Sequence, residues 1–186
     1  MLLKDLIEKN KITEDLLKNV NNKILHNKVR GISSNSKEIT KGYIFVAIKG
    51  KNFDGAEFIA EAEKLGAFLI IAEESCNKRV FSIKKGTARQ IYTLLLSSFY
   101  IKQPKQIIGV TGTNGKTSTV EFCRQLWALA GWKAASMGTL GTMTETAINK
   151  SIYKNKEENL TTFEPSDLYK KLNFLVEEKI SHLALE

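Results

Sequence analysis

A chain of 186 residues, 42% hydrophobic and 26% charged, has the composition of an ordinary globular protein with room for one domain or two small ones. That excludes a collagen, a coiled coil and a wholly disordered chain. Lysine and arginine outnumber the acids 28 to 20, a net charge of +8, but the lysines are scattered and form no block, which reads as a solvated surface.

The chain opens on MLLKDLIEKN, in which Lys4, Asp5, Glu8 and Lys9 interrupt any apolar run, so no signal peptide is expected. Leu2–Lys9 reads as a short helix. Val29–Ser33 and Tyr43–Ile48 read as strands. Asp54–Leu65 places Phe58, Ile59, Ala62 and Leu65 at helical spacing, and Gly66 supplies the terminating glycine. Ala67–Ala72 is the longest apolar run; it suits a buried strand and is far short of the ~20 residues a membrane span takes. Val80–Ile83 is a further strand candidate, and Thr87–Tyr100 a helix. Strands alternating with helices predict an α/β domain over residues 1–104. Pro104, one of two prolines, marks the boundary.

Beyond it, Gln106–Val110 is an apolar strand and Lys116–Ala130 a helix closed by Gly131. Lys133–Ser136 is a short strand candidate. Asn149–Asn159, rich in charge, reads as a loop or exposed hairpin. Pro165–Lys179 carries Leu168, Leu172, Leu175 and Val176 on one face, an amphipathic helix. Ser181–Leu185 begins another apolar strand. These elements are too few to complete a doubly wound nucleotide domain. Residues 105–186 are therefore expected to form an incomplete P-loop parallel-sheet domain, and the chain to be an N-terminal piece of a longer protein. Two cysteines, Cys76 and Cys123, are too few for a disulfide scaffold and read as reduced thiols of a cytoplasmic protein.

The motif that carries chemistry is Gly109-Val110-Thr111-Gly112-Thr113-Asn114-Gly115-Lys116-Thr117-Ser118. It follows a predicted strand and opens a predicted helix, the context a phosphate-binding loop needs. Gly112 and Gly115 let backbone N–H groups approach phosphate oxygens. The helix N-terminus adds its positive dipole end. Lys116 supplies a point charge for the β- and γ-phosphates, and the Thr117 hydroxyl is a suitable Mg²⁺ ligand. The competing reading is a glycine-rich turn, which has no need of Gly-Lys-Thr at a helix start. Five residues separate Gly109 from Gly115, one more than the strict phosphate-loop pattern has.

That spacing resembles the Mur ligase family, which builds the peptidoglycan stem peptide in the cytoplasm. Other stretches share the resemblance. Ser34-Asn35-Ser36-Lys37 through Gly42-Tyr43-Ile44-Phe45-Val46-Ala47 is similar to the family's Asp-Ser-Arg and Gly-Asp-Leu-Phe-Val-Ala segments. Gly50-Lys51-Asn52-Phe53-Asp54-Gly55 resembles its uridine-nucleotide loop. Gly138-Thr139-Leu140-Gly141, Leu160-Thr161-Thr162-Phe163-Glu164-Pro165 and His182-Leu183-Ala184-Leu185-Glu186 resemble its Gly-Thr-Ile/Leu-Gly segment, its Thr-Thr-Pro substrate loop and the strand ending in a Mg²⁺-binding glutamate. The departures are Asn35 for an acid, Lys37 for an arginine and Phe163 for a proline.

The resemblance implies an ATP-dependent amide ligase with ATP and Mg²⁺ as cofactors. Its implied substrates are a UDP-N-acetylmuramoyl-dipeptide, activated as an acyl phosphate, and a diamino acid. It is expected to act as a monomer, without nucleic acid or membrane. Residues 1–104 would bind the uridine substrate and 105–186 ATP. Ser36, Lys51 and Asn52 would contact the uridine nucleotide. Gly112, Thr113, Asn114, Gly115, Lys116, Thr117 and Ser118 would hold ATP, with Lys116 catalytic. Thr161 and Thr162 would bond the muramoyl-peptide end. Thr117 and Glu186 would ligate Mg²⁺. Blander roles stay open: Ser36 as a turn cap, Lys51 as a solvated lysine, Thr161 and Thr162 as helix caps, His182 as a packed side chain. So do a nucleotide-binding remnant that does not turn over and an unrelated P-loop nucleoside triphosphatase.

Overall fold

The computed structural model describes residues 1–11, 13–14, 20–50, 54–75, 77, 79–144 and 163–186. They fall into two compact units, Met1–Phe99 and Tyr100–Glu186.

The first unit is built on four parallel strands in the order β1 (Gly31–Ser33), β2 (Tyr43–Val46), β3 (Leu69–Glu73) and β4 (Phe81–Ile83). Both faces are covered, so the strands read as apolar runs rather than alternations. On one face Phe45, Ala47, Ile70 and Ala72 pack with Ala62 of α2 (Ile59–Leu65). The neighbouring positions Ile44, Val46 and Ile71 are equally buried and point to the opposite face, as period two requires. Helix α1 (Leu3–Glu8) packs on α3 (Ala88–Phe99), which itself lies against β1 and β3. Helix α2 ends at Gly66, whose φ of 100° is the left-handed cap expected there. Its predicted first turn is a 3₁₀ turn over Gly55–Phe58, because Asp54 Oδ1 accepts from Ala56 N at 3.0 Å and tightens the entry.

The start of α3 is capped from a distance. Glu73, at the end of β3, accepts the Ala88 N–H at 2.9 Å. Bonds from the Gly86, Ala88 and Thr87 amides hold its carboxyl below the usual value against the effect of burial. Because the folded form favours the carboxylate, this stabilisation is present above pH 4.5 and fades as pH falls through the lowered folded value. Glu73→Ala should lose about 1 kcal/mol in urea unfolding at pH 7. The difference from wild type should shrink in acid; a difference that grew in acid would reject the cap.

The second unit has the order β5 (Gln106–Gly109), β8 (His182–Leu185), β6 (Ala134–Gly138), β7 (Gly141–Thr144). β5, β8 and β6 are parallel, and β7 returns antiparallel to β6. The sequence reading did not anticipate β7. Helix α5 (Pro165–Glu177) buries Leu172 and Leu175 against Ala135, Met137 and Leu183 on one face. Helix α4 (Lys116–Leu129) covers β6 and β8 and ends before Gly131 at φ 84°. No described helix is long and apolar enough to cross a membrane.

Candidate functional site

β5 and β8 run parallel with Gly109 opposite Leu185, so their C-terminal ends open on one edge of the sheet. The chain leaves β5 there and turns into α4. Val110 N bonds to Leu185 O at 2.8 Å, which ties the loop's first residue to β8. Gly112 at φ 146° and Gly115 at φ 79° take conformations that L side chains rarely adopt. An added Cβ at Gly115 would meet nothing within 4 Å, and at Gly112 only Asn114 O at 3.9 Å. The positive φ, not crowding inside the protein, is the demand these glycines answer, and it leaves the loop backbone open to its surroundings. The predicted run Gly112, Thr113, Asn114, Gly115, Lys116, Thr117 and Ser118 is thus a single strand-to-helix corner. Thr119 Oγ1 and N both donate to Gly115 O, at 2.8 and 2.9 Å, closing the first turn of α4.

Two charged groups meet this corner. Lys116 Nζ donates to Gly112 O at 2.8 Å and Thr113 O at 3.5 Å, so its ammonium lies over the loop's own carbonyls. Glu186, just past β8, accepts Thr117 Oγ1 at 2.8 Å on Oε2 and the Thr139 N–H on Oε1. Burial raises the Glu186 carboxyl, but the bonds from Thr139 and Thr117 and the charge of Lys116 outweigh it and hold the group below its ordinary value. An ionised carboxylate, a hydroxyl and an ammonium therefore converge on the glycine corner at the start of α4. Hydroxyl and carboxylate oxygens are hard donors of the type Mg²⁺ takes.

Below the corner lies a second polar cluster that sequence reading missed. Glu121, one turn after Thr117 on α4, accepts Arg124 Nε at 2.9 Å and Ser136 Oγ of β6 at 2.9 Å on Oε2. On Oε1 it takes Arg124 Nη2 and Gln125 Nε2. Arg124 is buried. Its bonds to Glu121 are the main cause of that carboxyl falling to about 2. Glu121, Ser136, Thr117, Gly138 and Glu186 line one small pocket. The sequence signal was the i, i+3 spacing of Glu121 and Arg124, which says nothing of burial or of Ser136.

Ser36 lies in the first unit, buried in a 3₁₀ turn over Ser36–Glu38 after β1. That turn is capped by Asn35, whose Oδ1 accepts from Lys37 N at 3.1 Å. Ser33 Oγ donates to Glu38 at 3.0 Å beneath it. Lys51, Asn52, Thr161 and Thr162 lie outside the described residues, as does the Asn149–Asn159 segment. His182 is packed: its ring stacks on Trp132 at 4.5 Å and 3°, at the far end of β8 from Glu186.

Two protein-family models match successive parts of the chain. Residues 28–95 match the Mur ligase family catalytic domain, and residues 110–186 the Mur ligase middle domain. A UDP-N-acetylmuramoyl-L-alanyl-D-glutamate–2,6-diaminopimelate ligase of Brucella melitensis is 37% identical over 161 residues, 85% of this chain and 32% of its own. The protein of that name from Rickettsia prowazekii is 36% identical over 170 residues, 90% and 35% respectively. The chain thus spans about a third of the length of the curated relatives it matches. A solved ligase of the same name superposes with a TM-score of 0.73 at 19% identity, over the whole of this chain and 35% of its own. A MurF ligase from Thermotoga maritima in complex with ADP gives 0.50 at 26% identity, over 86% of this chain and 32% of its own. With both halves matched in order, and with relatives of one name aligned across the boundary, the chain belongs to the Mur ligase family.

Proposed function

We propose that these residues serve an ATP-dependent amide ligase of peptidoglycan precursor synthesis. It would add a diamino acid to UDP-N-acetylmuramoyl-L-alanyl-D-glutamate in the cytoplasm. The convergence of Lys116, Thr117 and Glu186 on the glycine corner carries the reading. The two Mur-type matches and the curated relatives, named as 2,6-diaminopimelate ligases, support it.

In this reading residues 105–186 hold ATP and residues 1–104 the uridine substrate. The amides of Gly112–Lys116 cradle phosphate oxygens, and Lys116 leaves the loop carbonyls to neutralise them. Thr117 and Glu186 would hold Mg²⁺, which would supply further positive charge beside the phosphates. Ser36, Lys51 and Asn52 are assigned to the uridine nucleotide, and Thr161 and Thr162 to the muramoyl-peptide end. The chemistry is transfer of a phosphoryl group to the D-glutamyl carboxylate, followed by attack of the amine and release of phosphate.

Calorimetric titration of the 186-residue chain tests the reading. ATP should bind with an affinity that rises on adding Mg²⁺. The UDP-muramoyl-dipeptide should bind as a second ligand and shift amide resonances around Ser36. Absence of ATP binding would refute the site. Equal binding with and without Mg²⁺ would refute the metal role of Thr117 and Glu186.

A further inference from the structure

Glu186 owes its position to a residue two strands of sequence away. β6 and β8 are parallel neighbours with Met137 opposite Leu185, and Glu186 N bonds to Met137 O at 3.0 Å. Gly138 therefore lies beside Glu186. Its φ is not in the left-handed region, so the backbone does not call for glycine here. Space does: a Cβ added at Gly138 would collide with Cγ, Cδ and Oε1 of Glu186. The carboxylate arm crosses directly over the bare Cα, with its oxygens taken by the Thr139 N–H and the Thr117 hydroxyl. A glycine followed by a residue with a free amide is thus what lets an acid from β8 reach the first turn of α4.

We infer that Gly138 and the Thr139 amide are positioning residues for the metal–nucleotide site, acting only through Glu186. The inference rests on the proposed role of Thr117 and Glu186. With alanine at 138, Glu186 must swing away from Thr117, since the added Cβ would overlap its Cγ as well as the Cδ and Oε1 of its carboxyl group. The Mg²⁺-dependent part of nucleotide binding then falls. The Lys116 and backbone-amide part, on the other side of Thr117, stays.

The test is ATP binding to the 186-residue chain with Mg²⁺ and with EDTA, for wild type, Gly138→Ala, Glu186→Ala and the double variant. Gly138→Ala is expected to lose at least about 10-fold of the Mg²⁺-dependent affinity, the effect of losing one charged ligand contact, and nothing in EDTA. In the Glu186→Ala background Gly138→Ala should change nothing, because the partner in the collision is gone. An equal loss in EDTA, or a full loss in the Glu186→Ala background, would overturn the inference. Should Gly138→Ala fail to fold, a folded double variant supports it and an unfolded one overturns it. If wild type shows no Mg²⁺ dependence, the metal reading itself fails; the thermal melts of the four proteins then still decide whether Gly138 answers to Glu186.

Discussion

Lys116→Ala is expected to weaken ATP binding about 100-fold while leaving the fold intact. The ammonium is the one cation seated on the glycine corner among the described residues, bonded to Gly112 O and Thr113 O. Those carbonyls face solvent, so losing their donor leaves no buried orphan and stability should shift by less than about 0.5 kcal/mol. Binding is another matter. A charged hydrogen bond to phosphate is worth about 1.5–3 kcal/mol, up to about 150-fold in affinity, and the lysine's point charge reaches more than one oxygen. Lys116→Arg separates charge from shape: it keeps the cation but offers a planar fork in place of a compact ammonium, and should recover only part of the loss. Calorimetry of the three proteins, with thermal melts alongside, checks both halves. An unchanged dissociation constant for Lys116→Ala would place the phosphates elsewhere.

The reason Lys116 could be singled out from sequence is that its chemistry is local. Glycines, lysine and threonine are adjacent in the chain, and the strand before them and helix after them show in short-range patterns: apolar Gln106–Val110, then the Lys116–Ala130 run. The same locality made α5 legible from Leu168, Leu172 and Leu175. Where the determinant is distant, the reading ran out. β7, Gly-Thr-Met-Thr, is small and polar enough to pass for a loop, and becomes a strand because β6 offers it an edge. The cap on α3 comes from Glu73, 15 residues upstream. Gly138 stood within a motif, but its reason, the side chain of Glu186, lies 48 residues further along. Ser136 and Glu121 gave no signal of their mutual contact. Pairing across a sheet brings such groups together, and no periodicity along the chain encodes it.

Glu121→Gln is expected to produce the largest loss of stability among the substitutions considered, about 3 kcal/mol at pH 7. Arg124 is 8% exposed in its side chain and Glu121 22%. Removing the carboxylate charge leaves a buried guanidinium facing a neutral amide in place of its bidentate carboxylate, and breaking one side of a buried pair typically costs about 3 kcal/mol or more. Ser136 and Gln125 lose their charged acceptor at the same time. In a unit of this size the melting temperature should drop by more than about 10 °C. The pH dependence gives the sign independently. The Glu121 carboxyl is lowered from 4.5 to about 2, so the unfolded chain takes up its proton first on acidification. The stabilisation is complete above about pH 5, declines between there and pH 2, and cannot exceed about 3 kcal/mol. Wild type and Glu121→Gln should therefore converge as pH falls through that window. Replacing both partners, Glu121→Gln with Arg124→Met, removes the buried charge together with its lost carboxylate partner and should recover much of the loss, since an apolar side chain of similar length fills the same space. Melting curves for the three proteins at pH 7 and pH 3 form the measurement. A single variant within about 0.5 kcal/mol of wild type, or a gap that widens in acid, would show that the cluster of Glu121, Arg124 and Ser136 does not hold α4 to β6.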